Sequence, residues 1–325
     1  MKVLVTGANG LLGHHVVLEL LERHHPVRII VRSTRDIYFD LARVEVVVGN
    51  FIHYDTLMHA AEGCDAIIHI AAITATNLLH YEEYKQINVD GSAMVIQVAE
   101  ELKINTIVYI STANTVGFGS ETQPGDELLP IQYPFSESYY ARTKVEAEKL
   151  FTDAAKNPNR HIIILNPAFM IGAYDPKPSS GKLLLMGYNK KLMFVPRGGK
   201  NFVPVRDVTV AVCNALTMGK NGDKYLAAGI GLSFKEYFTF QKQLLGYKQQ
   251  IVEVPGFLLK LVGKAGDLIR FIGIRTEVCS MNLRQLMIRE YYTNRKAKEE
   301  LTQPETDLSI AIVEAIDWFK EKKIL

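Results

Sequence analysis

Tyr140 and Lys144 stand four residues apart, the spacing that brings two side chains onto one face of a helix. A phenol beside an ammonium can do acid–base chemistry. A free phenol titrates near pH 10, and a cation within about 4–6 Å brings it toward neutrality. The pattern Tyr-x-x-x-Lys occurs three times, at Tyr81/Lys85, Tyr140/Lys144 and Tyr292/Lys296, so spacing alone does not choose among them. Context does. Only Tyr140/Lys144 lies on a long amphipathic pattern that follows an apolar run ending in two hydroxyls, Ser111-Thr112. The other two pairs read as solvated helix-face residues.

A second set of chemistry-bearing residues opens the chain. Thr6-Gly7-Ala8-Asn9-Gly10-Leu11-Leu12-Gly13 follows the first apolar run and enters an apolar-periodic stretch. Glycines at 7, 10 and 13 suit a strand, a tight turn and a helix start. Gly7 allows the sharp turn, Gly10 leaves room for a phosphate, and Gly13 lets helix and strand pack closely. The free N–H groups at the helix start then face an anion. The arrangement is a pyrophosphate cradle with G-x-x-G-x-x-G spacing.

The elements that must position these residues alternate through the first half. Strands are expected at Val3–Val5, Val27–Val31, Val44–Val48, Ala66–Ile70 and Thr106–Ile110, then Ile162–Leu165 and Tyr225–Ala228. Helices are expected at Leu11–Arg23, Tyr54–Glu62, Tyr84–Leu102 and Ser138–Ala155. Near-continuous Val/Ile/Leu runs imply strands buried on both faces. The expected fold is α/β: a doubly wound parallel sheet with a smaller, mostly helical substrate domain. Residues 1–172, with 201–230 returning, would form the dinucleotide domain. Residues 173–200 and 231–325 would form the smaller one.

Composition narrows the function. With 48% apolar residues, 22% charged residues and a net charge of +2, the chain carries no polyanion signal, and nucleic-acid binding has no support. Cys64, Cys213 and Cys279 are far apart, which excludes a disulfide framework or a thiolate zinc site and suits a cytoplasmic, reducing location. A strand beginning at Lys2 leaves no room for a signal peptide. Phe257–Ile274 contains Lys260, Lys264, Asp267 and Arg270, too many charges for a transmembrane span. It reads as an amphipathic helix of a core or lid, with peripheral membrane contact as the sharper alternative.

Six motifs in order resemble the extended short-chain dehydrogenase/reductases, within the epimerase/dehydratase superfamily. They are Thr6–Gly13, Asp65–Ala72, Asn88–Gly91, Tyr140–Lys144, Asn166-Pro167-Ala168 and Phe202–Val208. The resemblance implies a nicotinamide cofactor bound by Gly7, Asn9, Gly10, Leu11, Leu12, Gly13, Asn50, Phe51, Ala71, Ala72, Lys144 and Pro167. It implies Tyr140 as the acid/base, Lys144 as the neighbouring cation that also bonds the ribose, and Thr112 as the group that polarises the substrate oxygen. Ser111 competes with Thr112 for that role. Family members often form homodimers, so a homodimer is the expected assembly.

Members specific for NAD usually place an acid at the end of the second strand. Here that strand ends Ile30-Val31-Arg32-Ser33. Arg32, helped by Ser33 or Arg35, could pair with a 2′-phosphate. NADP is the expected cofactor, with NAD possible if Arg32 only stacks on the adenine.

Two subgroups compete for the substrate. Val27–Arg32 and Pro167–Leu185 resemble the dihydroflavonol reductase-like subgroup. Nucleotide-sugar epimerases and dehydratases commonly have an arginine where Asn201 precedes Phe202, although Arg197 and Lys200 lie nearby. Leu183, Leu184, Met186, Met193 and Phe194 are expected to line an apolar pocket or, equally, to be ordinary helix-packing residues. The expected activity is therefore hydride transfer between NADP(H) and a ketone or secondary alcohol of a small, fairly apolar molecule. A nucleotide-sugar epimerase holding NAD tightly is one alternative. A non-catalytic cofactor sensor is another.

Overall fold

A computed structural model describes all 325 residues, Met1 to Leu325. Its strands are β1 (Val3–Thr6), β2 (Val27–Val31), β3 (Glu45–Val48), β4 (Ala66–His69), β5 (Thr106–Ile110), β6 (His161–Pro167), β7 (Phe169–Ile171), β8 (Leu192–Val195), β9 (Gly199–Pro204), β10 (Lys224–Ala227), β11 (Ile230–Ser233) and β12 (Gln250–Glu253). Seven of them form one parallel sheet in the order β10-β6-β5-β4-β1-β2-β3. The order reverses between β1 and β4, and in open α/β sheets a ligand crevice lies at the carboxyl edge of that reversal.

The central strands are apolar at most positions because alternate side chains enter different cores. Val3, Val5, Ile29, Val31, Ala66, Ile68, Val108 and Ile110 pack on one face. Leu4, Ile30, Ile67, Ile107, Tyr109, Ile162 and Ile164 pack on the other. β3 departs from the expectation of two buried faces: it is an edge strand, and Glu45 and Val48 are exposed.

The helices are α1 (Leu11–Glu22), α2 (Tyr54–Ala61), α3 (Tyr81–Lys85), α4 (Gly91–Glu101), α5 (Tyr139–Ala154), α6 (Gly181–Gly187), α7 (Val205–Asn214), α8 (Phe234–Leu244), α9 (Gly256–Phe271), α10 (Ser280–Gln285), α11 (Arg295–Leu301) and α12 (Leu308–Glu321). α1 and α7 cover the first face of the sheet. α2, α4 and α5 cover the second. The single helix expected over Tyr84–Leu102 is instead α3 and α4 joined by a wide π-turn over Gln86–Asp90. A third core, around Phe202, Phe234, Tyr237, Ile312 and Phe319, joins the sheet β11-β9-β7 to α6, α8 and α12. No helix is long and apolar enough to cross a membrane.

Candidate active site

The glycine loop is built as a turn that tolerates almost no extra atoms. Gly7 has φ +76°, and a Cβ there would lie 2.8 Å from the Ala71 backbone nitrogen. A Cβ on Gly13 would collide with the Gly7 carbonyl. Gly10 differs: it is exposed, and its Cβ would meet only the Gly7 oxygen, at 3.5 Å. Gly10 is also the N-cap of α1 and supplies no capping side chain. The first N–H groups of α1 therefore face the crevice without a side-chain partner. An anionic diphosphate fits that donor set and the open side of Gly10.

This difference gives a paired prediction. Gly13→Ala should destabilise the fold by about 1–3 kcal/mol, the cost of overpacking, and abolish nucleotide binding. Gly10→Ala should leave the melting temperature unchanged and weaken nucleotide binding at least tenfold. Thermal melts with fluorescence titrations decide it; a Gly10→Ala variant that binds normally removes Gly10 from the cradle.

The other expected cofactor residues end neighbouring strands at the same edge. Thr6 Oγ1 accepts from the Ala71 backbone N–H at 3.1 Å, tying the Ala71-Ala72 turn to the loop. Arg32 follows β2, is exposed and forms no ion pair. Asn50 and Phe51 follow β3, and the Phe51 ring meets His69 edge-on at 5.3 Å. Pro167 closes β6 beside Ala227.

The acid–base group lies at the end of β5. Ser138 caps α5, accepting from the Ala141 N–H at 3.5 Å, and α5 carries Tyr140 and Lys144 one turn apart. Lys144 is buried. Its Nζ donates to the Ile110 carbonyl at 2.7 Å and lies 4.3 Å from the centre of the Tyr109 ring. Burial lowers its pKa to about 7, and Glu148 one turn on opposes that shift. Burial raises Tyr140 to about 12, against a hydrogen bond from the Thr112 hydroxyl that favours the phenolate.

Ser111 and Thr112 point to different partners. Ser111 donates to Glu148 at 2.6 Å and is buried. Thr115 and Asn166 donate to the same Glu148 oxygen, at 2.5 and 2.6 Å, and Lys224 forms an ion pair with Glu148. Ser111 is thus committed beneath the site, while Thr112 faces Tyr140. Glu148 was not among the expected residues; its place one helical turn after Lys144 was the available signal.

Asn88 holds the floor from the π-turn. Its amide donates to the Ile73 carbonyl and to Thr143 Oγ1, both at 3.1 Å, and its oxygen accepts from the Ile73 N–H at 2.8 Å. These bonds explain why the helix breaks there, and π-turns recur at functional sites. His69 bridges Thr6 at 2.8 Å and Ser92 at 3.3 Å. Burial, then the Lys144 charge, lowers it to about 3, so it adds no second cation beside Lys144.

Two expectations need correction. Tyr292 is not a solvated helix residue: it is buried and forms a β-bridge with Gly125. Tyr81 does lie on a helix face, at the start of α3, where it bonds Glu146 of α5. The expected pocket residues also disperse. Leu184 and Met193 belong to the third core, Leu183 packs against it, and Met186 and Phe194 are exposed. Alternation along β8 sends Met193 and Val195 inward and Leu192 and Phe194 outward. A cavity of about 450 Å³ lies instead between Tyr133-Pro134 and the α9–α10 hairpin, lined by Leu259, Leu283, Arg284 and Met287 among others.

A parallel seven-stranded sheet with a glycine cradle and a Tyr-Lys pair at one edge defines a dinucleotide-dependent enzyme of the oxidoreductase type. Residues 3–231 match the NAD dependent epimerase/dehydratase family, and the chain belongs to it. A relative from Methylococcus capsulatus named sterol demethylase protein B is 26% identical, with all of both chains covered. A putative dihydroflavonol 4-reductase from Synechocystis is 27% identical over 97% of this chain and 94% of its own. Among solved structures, gox2253 superposes with a TM-score of 0.85 at 29% identity, covering 99% of this chain and 98% of that one. The UDP-glucose 4-epimerase of Thermotoga maritima has the same fold at 17% identity, with a TM-score of 0.79 and 99% and 100% covered. The chain is an enzyme of the NAD(P)-dependent oxidoreductase type.

Proposed function

We propose that this chain reduces a ketone, or oxidises the matching secondary alcohol, of a small and fairly apolar substrate, with NADP(H) as cofactor. The observation that carries this reading is the fate of the groups that would otherwise hold a sugar diphosphate. Asn201 stands where nucleotide-sugar enzymes commonly carry arginine. It is buried and closes on Gly229 through both amide atoms, at 3.2 and 2.7 Å. Lys200 is committed to a buried ion pair with Glu290. Neither is free to meet a diphosphate, which leaves Arg197, exposed and without an ion pair, as the one cation of this segment that could. Relatives named as reductases agree with this reading.

The residues' roles follow from their environments. When bound, the nicotinamide supplies or accepts the hydride. Thr112 and Tyr140 hold the carbonyl oxygen, and Tyr140 Oη donates the proton. A phenol raised to about 12 is protonated throughout the neutral range, so it is already loaded for reduction. Lys144 sits at the next turn to stabilise the phenolate that donation leaves behind. Holding both partners at the sheet edge replaces a bimolecular encounter by a preset geometry.

NADP preference rests on Arg32, which is exposed at the end of β2 with no acid in its place. Arg32→Ala should weaken NADPH binding at least tenfold and leave NADH binding within about twofold, since a charge-assisted pair to the 2′-phosphate is worth roughly 1.5–3 kcal/mol. Fluorescence titration with both nucleotides measures this; an equal loss for both overturns the assignment. A carbonyl panel with the tighter nucleotide then tests the reductase reading.

A second reading, a nucleotide-sugar epimerase, draws on Lys260, Lys264 and Arg284, cations that line the cavity. It would release NAD on denaturation and convert a UDP-sugar without added nucleotide. Absence of both results, with carbonyl turnover, decides for the reductase.

A further inference from the structure

α9 turns its apolar side outward. Of its 16 residues only Gly263 and Gly266 are buried. Those glycines let the helix lie against the segment that leads into α10: a Cβ on Gly263 would be 2.8 Å from Ser280 Cα, and one on Gly266 would collide with the Val278 carbonyl. At these two positions the inner face is bare backbone. The outer face carries Phe257, Leu261, Leu268 and Phe271, and the turn beyond it adds Ile272 and Ile274. These six are 53–87% exposed. A contiguous apolar surface of this kind marks a docking face.

The two-stranded ribbon that leads into α9 also turns apolar side chains outward. Val252 on β12 pairs in register with Phe194 on β8, and both face outward, 44% and 64% exposed. Lysines flank this surface in the chain. Lys260 and Lys264 stand on α9 at the rim it shares with the cavity they line, Lys190 and Lys191 precede β8, and Lys248 precedes β12. All five are exposed, and none forms an ion pair in the fold. The one acid of the helix, Asp267, accepts from the Ser280 N–H at 2.9 Å.

We infer that this face docks the enzyme on an anionic lipid bilayer. Large apolar side chains gain by leaving water for the acyl boundary, and each lysine near an anionic surface adds attraction to it. Reversible surface binding needs both signals, and this face supplies both. A second copy of the chain fits less well, because a two-fold contact would set the lysines of one copy against those of the other.

The hairpin is fastened to the sheet domain. Arg270 donates to the Leu78 carbonyl at 2.5 Å, Asn282 donates to the Thr76 carbonyl at 3.0 Å, and Arg275 pairs with Glu83. Its inner side lines the cavity, facing Tyr133-Pro134 shortly before Tyr140. Docking thus sets the cavity at the lipid surface, where a ketone or alcohol dissolved in the bilayer reaches it directly. This last step rests on the reductase reading; the docking does not.

The test is co-sedimentation of the full chain with vesicles. At low salt it should sediment with phosphatidylcholine–phosphatidylglycerol vesicles, not with phosphatidylcholine alone, and high salt should release it. Leu261→Glu/Phe271→Glu should lose at least tenfold in vesicle affinity while keeping its fold and its turnover of a water-soluble ketone. No sedimentation with anionic vesicles overturns the proposal, as does equal binding by the double variant. A wild-type dimer that the double variant converts to monomer, with no vesicle binding, assigns the face to a second copy instead. Absence of carbonyl turnover with vesicle binding intact counts against the reductase reading alone.

Discussion

Replacing Tyr140 by Phe is expected to lower turnover by about 10²–10⁴-fold, the usual contribution of a positioned general acid, with nucleotide affinity and melting temperature nearly unchanged. The change removes one oxygen. That oxygen meets the Thr112 hydroxyl, and burial holds its proton up to about pH 12. The buried framework below does not use it. Lys144 is fixed by the Ile110 carbonyl, and Glu148 by Ser111, Thr115, Asn166 and Lys224. The phenylalanine ring therefore keeps its packing while the proton donor disappears. Steady-state rates, a nucleotide titration and a thermal melt on the same preparation check all three parts. Turnover within threefold of the parent would remove Tyr140 from the reaction.

Much of this frame was legible because it depends on local pattern. The sheet strands are short Val/Ile runs whose alternate residues serve two cores, and the pattern holds in β1, β2, β4, β5 and β6 but not in the edge strand β3. What stayed hidden was set by contacts distant in sequence. Nothing within 84–102 signals a π-turn, which the bonds of Asn88 to Ile73 and Thr143 impose from outside the helix. Ser111 and Thr112 are chemically alike and adjacent. Adjacent extended residues point opposite ways, and only the position of Glu148 tells which one turns inward. Tyr292 was read from its own segment, yet its surroundings come from Gly125. The apolar residues of β8 were assigned to a pocket because hydrophobicity shows burial tendency, not which face is covered. For the same reason the sequence could mark α9 as amphipathic and not reveal that glycines form its inner side.

Lys144→Met should separate activity from stability by moving them in opposite directions. Turnover should fall by at least about 10²-fold, since the amine proposed to stabilise the phenolate left by proton donation is gone. The unliganded protein should nevertheless become more stable at pH 6–7. Burial carries the Lys144 pKa from 10.5 to about 7. A fall of that size corresponds to roughly 5 kcal/mol disfavouring the charged amine in the fold. Against it stands the bond to Ile110, whose loss leaves a buried carbonyl at about 1–3 kcal/mol. Lys224 still pairs with Glu148 in the variant, so no new buried charge is left alone. The sign of the pH dependence follows from proton binding. Between about pH 7 and 10.5 the unfolded chain holds the proton and the folded chain does not. Parent stability therefore rises with pH in that window, by up to about 1.4 kcal/mol per pH unit from this group. The penalty is complete below about pH 7 and gone above 10.5. The methionine variant lacks the dependence, so its advantage should be largest near pH 6 and fade toward pH 10. Paired melts across pH 6–10 measure it. A variant less stable than the parent at pH 6 would mean that the amine's contacts with Ile110 and the Tyr109 ring outweigh its burial.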